Sequence, residues 1–159
     1  MAAIEDVIAY IAEKYPHKHE LSNARVTKLV YLSDWKHSLE SGRQITGINW
    51  YFDNYGPFVW DVKEAAERHP ELFDLSYNTN MFGSKKLMFK LKDDSYSPSL
   101  TEQEKAAVDH VIEVTRGLYW NDFIKLVYST YPVTSSDRYS LLDLPAKARE
   151  YQSARSESA

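Results

Sequence analysis

Apolar residues at Ile4, Val7, Ile8, Ile11 and Tyr15 recur at helical spacing and predict an amphipathic helix over residues 3–15, ended by Pro16. Ser22 or Asn23 caps a second helix that reaches about Glu40 and stops at Gly42. Its apolar positions, Val26, Leu29, Val30, Leu32, Trp35 and Leu39, wrap most of the cylinder. A helix apolar on most sides is expected at the centre of a fold. Residues 44–52 read as extended, and residues 59–69 as a helix ended at Pro70. Phe73, Leu75 and Tyr77 alternate with Asp74 and Ser76, while Leu87, Phe89 and Leu91 alternate with Lys86, Met88, Lys90 and Lys92. That period of two predicts a half-solvated antiparallel hairpin.

Thr101-Glu102-Gln103-Glu104 has the form of a capping box, in which two side chains satisfy free backbone N–H groups. The helix it opens carries Ala107, Val108, Val111, Ile112, Val114 and Leu118 on one broad face, with Gly117 near its end. Trp120, Phe123, Ile124, Val127 and Tyr131 trace a fifth helix that stops near Pro132. A polar loop over 133–143 holds one apolar patch, Leu141-Leu142, and a short helix covers 145–152. The tail from Ser153 to Ala159 reads as disordered. The expected class is mainly α (α+β): an irregular helical bundle around the 23–40 helix, with a small antiparallel hairpin or sheet. Neither a repeat nor a domain linker is visible.

The densest chemistry lies between Lys28 and Trp60. Lys28-Leu29-Val30-Tyr31-Leu32 sits in the central helix, and Trp50-Tyr51-Phe52-Asp53-Asn54-Tyr55-Gly56-Pro57-Phe58-Val59-Trp60 follows after a turn. Gly56 can take backbone angles closed to other residues, and Pro57 fixes φ and has no N–H. A Gly-Pro step in such apolar sequence ends one element and launches another, giving a rigid corner lined with rings.

Aromatic residues make up 14% of the chain, and twelve of these rings are tyrosines, so aromatic surface is available for a partner as well as for the core. The formal charge of −4 argues against general nucleic-acid binding, which needs a basic face. With no cysteine, disulfides and thiol catalysis are excluded. No apolar run is long enough to span a membrane, and the opening Met-Ala-Ala-Ile-Glu-Asp-Val is too acidic for a signal peptide, so a cytoplasmic protein is expected.

Four constellations carry candidate chemistry. His17 and His19 beside Glu20 could seed a metal site, but no motif supplies the remaining ligands, and a solvated loop is the preferred reading. Asp34 and His37 lie three apart on a helix and could act as orienter and base, yet no nucleophile faces them. Solvated helix polarity is the default there, and substituting either residue is expected to leave function intact in a folded protein. Lys85, Lys86, Lys90 and Lys92 could touch phosphate, but lysines on an edge strand also block aggregation, which is preferred for an acidic chain. Trp50, Tyr51, Tyr55, Phe58, Trp60 and Trp120 are candidate partner-binding residues, some of them necessarily core. No catalytic residue, metal site or cofactor is assigned.

The pattern over residues 1 to about 131 resembles the Panacea-domain family, the SocA-like antitoxins and phage-associated relatives. The family's Lys-Leu-x-Tyr-Leu helix core is matched by Lys28, Leu29, Tyr31 and Leu32, and its Tyr-Gly-Pro step by Tyr55, Gly56 and Pro57. A Leu-Thr/Ser-x-x-Glu helix start is matched by Leu100, Thr101 and Glu104. Departures are Ser33-Asp34-Trp35-Lys36 where small residues are common, heavier aromatic density from Trp50 to Trp60, and no family motif after Pro132.

The resemblance implies an antitoxin domain over residues 1–132, with 133–159 as its loop, short helix and tail. It implies direct binding and steric occlusion of a cognate protein toxin, encoded in the adjacent gene, as part of a toxin–antitoxin system of the kind tied to phage defence. Alternatives are an adaptor delivering a bound client to an ATP-dependent protease, and an unrecognised hydrolase. No DNA-binding module is implied, so nucleic acid and membrane are not expected partners.

Overall fold

The computed structural model describes residues 1–79 and 81–158. Its elements follow from the patterns above. Helix α1 (Ile4–Lys14) is followed by a single 3-10 turn (Lys18–Glu20) and helix α2 (Asn23–Ser41). Ser22 caps α2 by accepting from the Arg25 N–H at 3.2 Å, and Gly42 closes it at φ +80°. Positive φ suits glycine, so the stop signal at this position is physical.

Strands β1 (Trp50–Asp53) and β2 (Gly56–Pro57) form a tight antiparallel hairpin that pairs Phe52 with Pro57 and Asp53 with Gly56. Helix α3 (Asp61–Glu67) follows, then the hairpin of β3 (Phe73–Thr79) and β4 (Lys85–Leu91). Helices α4 (Glu102–Thr115), α5 (Trp120–Ser129) and α6 (Tyr131–Thr134) come next, then β5 (Leu141–Leu142) and α7 (Leu144–Ser158). The small sheet has the order β2-β1-β5 and is antiparallel throughout. The class is mainly α with small antiparallel sheets, as the periodicity predicts.

Helix α2 is the axis of the molecule. Helices α1, α3, α4 and α7 and strand β4 all pack on it. From Arg25 to Trp35 every residue is buried. This explains why its apolar residues do not sort to one side. The capping box at α4 is formed, with Thr101 Oγ1 accepting from Glu104 N at 3.1 Å and Glu104 Oε1 from Thr101 N at 2.8 Å.

Three expectations need correction. Only Trp50–Asp53 of the 44–52 segment is strand, because the N–H groups of Ile45 and Thr46 turn inward to a buried carboxylate instead of a ladder. Helix α5 does stop near Pro132, at Ser129, while Tyr131 opens the separate short helix α6, in whose first turn the missing N–H of Pro132 costs nothing. The expected disordered tail is helix as far as Ser158, while Ala159 lies outside the described residues. Helix α7 is held by burial of Ala148, by the Tyr151 ring against Trp35 and Tyr131, and by Gln152 donating to the Leu39 carbonyl at 2.6 Å. Leu141-Leu142, expected only as an apolar patch, pairs with β1 as a third strand.

Candidate functional site: an aromatic groove floored by Lys28

The Tyr-Gly-Pro corner is a turn between β1 and β2. Gly56 has φ +98°, and a Cβ there would lie 3.4 Å from the Tyr128 ring. Both facts favour glycine. Phe58 N–H donates to the Tyr51 carbonyl at 3.0 Å, which steers the chain out of the turn toward α3.

Alternation in β1 divides the candidate rings. Trp50 and Phe52 point inward, while Tyr51 and Asp53 point outward. Trp50 is 0% exposed, stands edge-on to Tyr31 at 5.5 Å and donates its indole N–H to Asp34. It is a core residue, and the expectation that it contacts a partner is corrected on that ground. Tyr51 is half-buried and pairs across the sheet with Leu141, away from the other rings.

The remaining four candidates converge. Tyr55, Phe58, Trp60 and Trp120 line one cavity of about 520 Å³. Tyr55 is 80%, Trp60 57% and Trp120 43% exposed, so their faces are open to solvent. Trp120, Ile124 and Tyr128 recur every fourth residue on α5 and form one wall as a stripe. Ala24 and Lys28, also four apart, form the floor on α2. Phe58 and Trp60 meet edge to face at 5.0 Å. Beyond them a second cavity of about 510 Å³ shares Ala24, Phe58, Trp60 and Trp120 and is rimmed by Lys63, Lys85 and Lys86.

The groove is held from behind. The Arg25 guanidinium lies 4.5 Å from the centre of the Phe123 ring and 5.9 Å from that of Trp120. It also donates to Tyr15 Oη at 2.9 Å and pairs with Glu20 at 3.4 Å. Anchored rings lose little entropy when a partner binds.

Asp34 and His37 have structural roles, which overturns the reading of solvated helix polarity. Asp34 is fully buried and accepts four hydrogen bonds. These come from Ile45 N at 2.9 Å, Thr46 N at 3.0 Å, Thr46 Oγ1 at 2.6 Å and Trp50 Nε1 at 2.8 Å. Burial pushes its carboxyl up to about 6 against the pull of those donors, and four donors with no acceptor for a proton favour the carboxylate form. His37 Nδ1 lies 2.6 Å from the Arg43 carbonyl and ties the end of α2 to the following loop. Neither residue lines the groove. His17 and His19 are exposed beside Glu20, and no cluster with metal-ligand geometry occurs among the described residues.

The four lysines of the second hairpin do not act as one patch. Lys85 and Lys86 rim the aromatic groove, whereas Lys92 bonds the Pro70 carbonyl at 3.0 Å. Strand β4 is not a free edge either, since Phe89 N–H donates to the Leu21 carbonyl and Met88 bridges Ser22.

Lys28 is the residue that sequence reading placed in a motif but not in a site. It is 2% exposed, and its ammonium lies 5.5 Å from the centre of the Phe58 ring. Desolvation pulls its pKa down to about 8, with Asp53 opposing from beyond ion-pair reach. The unfolded chain holds this proton up to the ordinary value of 10.5, so between pH 8 and 10.5 it binds more protons than the native state. Stability from this group therefore rises with pH in that window. Below pH 8 the buried charge costs up to about 3 kcal/mol. Lys28→Met is expected to raise the melting temperature at pH 7, and the gap to the parent should narrow as pH approaches 10. Thermal unfolding at a series of pH values reads this directly. A gap that stays constant from pH 7 to 10 would refute it.

The fold is a helical bundle with an aromatic groove on its surface. The family model described as "Antitoxin SocA-like, Panacea domain" matches residues 26–132, about two thirds of the chain, and the protein belongs to that family. The match spans the central helix, the Tyr-Gly-Pro corner, the capping box and α5, and so every residue that lines the 520 Å³ cavity except Ala24. No curated protein and no solved structure matches the chain. No helix among the described residues is long and apolar enough to cross a membrane.

Proposed function

We propose that this protein is the antitoxin of a toxin–antitoxin pair, acting in the cytoplasm by binding a protein toxin directly. The bound antitoxin covers the toxin's active or substrate site. Family membership supports the antitoxin role. The observation that carries the binding mode is the gathering of half-exposed Trp60 and Trp120 on either side of one groove. Solvent-facing tryptophans in a fixed recess are what protein interfaces use as anchors. The partner is taken to be encoded beside this gene. Residues 133–159 are taken to complete the same domain as 1–132, a reading supported by β5 pairing with β1 and α7 packing on α2. A non-enzymatic role is supported by Asp34 and His37 being engaged in structural bonds.

The test is co-expression with the product of the adjacent gene. That product alone is expected to arrest growth, and the pair to grow and to co-elute on size exclusion. Persistent arrest in the presence of soluble, folded protein would overturn the reading. Rescue with falling toxin levels and no co-eluting complex would instead mark a protease adaptor.

A further inference from the structure

Lys28 stands apart from every other buried polar residue of α2. Arg25 pairs with Glu20 and Tyr15, and Ser33 and Ser38 donate to the carbonyls one turn back at 2.8 and 2.7 Å. Thr27 donates to Asn23, and Asp34 and His37 are bonded as described. The Lys28 side chain is almost wholly buried, and its ammonium, which opens on the groove, has no hydrogen-bond or ion-pair partner among the described residues. It lines the groove and lies over the face of Phe58. An ammonium left with only the water of an aromatic groove is poorly solvated, and a counter-charge arriving there would replace that water to advantage. The groove is the one direction left from which such a group can arrive.

Resting on the toxin-binding reading, the geometry points to a partner segment in which a carboxylate side chain is flanked by apolar or aromatic residues. The carboxylate docks on Lys28, and its apolar neighbours fill the space between Phe58 and Trp120. Charge on the page fits this occupant. The chain as a whole carries −4, yet Lys63, Lys85 and Lys86 rim the adjoining cavity, so the groove is a basic window on an acidic protein. A carboxylate is favoured over a phosphate by the rest of the floor. Asp53 lines the same cavity, and the neighbouring Arg25 is already engaged, so one ammonium beside a carboxylate would have to balance a dianion. The titratable groups facing Lys28 across the groove are Asp53 on β1, Tyr55 in the turn and Tyr128 on α5.

The probes are two peptides, acetyl-Phe-Glu-Leu-Trp-amide and its Glu→Gln counterpart, added to full-length protein with isotope-labelled lysine side chains. The Glu peptide is expected to shift the Lys28 side-chain resonances and to raise its titration midpoint by one unit or more. By linkage the Glu peptide should then bind at least tenfold more tightly below the Lys28 midpoint than well above it, and the neutral Gln peptide should bind more weakly at pH 7 and lose this pH dependence. Lys28→Met, checked by circular dichroism for folding, should abolish the preference. Equal binding of the two peptides, no binding of either, or a preference that survives in Lys28→Met would overturn the inference. Displacement of the Glu peptide by equimolar inorganic phosphate would overturn the choice of carboxylate. No toxin enters this measurement, so its failure leaves the co-expression result standing. Failed rescue with an intact Glu preference would remove the toxin and keep the acidic-segment site.

Discussion

Asp34→Ala is expected to lower the stability of the fold by about 3–5 kcal/mol, since four buried donors lose their acceptor at once. The donors come from the 45–46 loop and from Trp50 at the start of β1, so one carboxylate holds the segment that leads into the aromatic corner. For a chain of this size the melting temperature should fall by roughly 10 °C. Asp34→Asn separates the charge of the site from its shape. It keeps the shape but replaces one acceptor oxygen with an NH2 group that would face N–H and O–H donors, so it should also cost more than about 2 kcal/mol. The measurement is thermal or urea unfolding of the three proteins. Asn behaving as the parent would show that the site needs only shape, and that the charge and the four acceptor positions are dispensable.

Much of this fold was legible from periodicity and punctuation. Ser22 and Gly42 bound α2, the capping box opens α4, and alternation places the β3–β4 hairpin, because each signal acts through its own few residues. What escaped depended on distant partners. Asp34 looks like exposed helix polarity until the 44–49 loop is seen to fold over it. Of the last helix only 145–152 was legible, and the residues from Ser153 read as polar tail, since the helix is held by Tyr151 and Gln152 reaching α2 rather than by an apolar stripe that runs on to its end.

The candidate site divided in the same way. The Tyr-Gly-Pro step and its ring density located the corner, and Gly56 does take positive φ. Which rings face outward was set by strand alternation in β1, which buries Trp50 and leaves Tyr51 half-buried on the outer face, and that needs the register of a four-residue strand. Trp120 joins Trp60 only through packing of α5 beside the β1–β2 hairpin. Lys28 carried a faint signal that could have been used: a lone lysine four residues after Ala24 and four before Leu32, inside a helix apolar on most sides.

In the proposed function a toxin is bound through the groove between Trp60 and Trp120. The most direct test is calorimetric titration of the purified toxin into the parent protein, the Trp60→Ala/Trp120→Ala double variant, and Val114→Ala as control. Val114 is 46% exposed on α4 and lies outside both cavities. Truncating one buried tryptophan anchor costs about 2 kcal/mol or more, roughly thirtyfold in affinity. The two rings share a groove, so their effects need not add, and the double variant is expected to bind between about 30-fold and 1,000-fold more weakly. Both rings are partly solvent-facing in the free protein, so circular dichroism and melting should change little. Val114→Ala should bind within about threefold of the parent, as surface positions outside an interface do. A folded double variant that binds as tightly as the control would contradict the account.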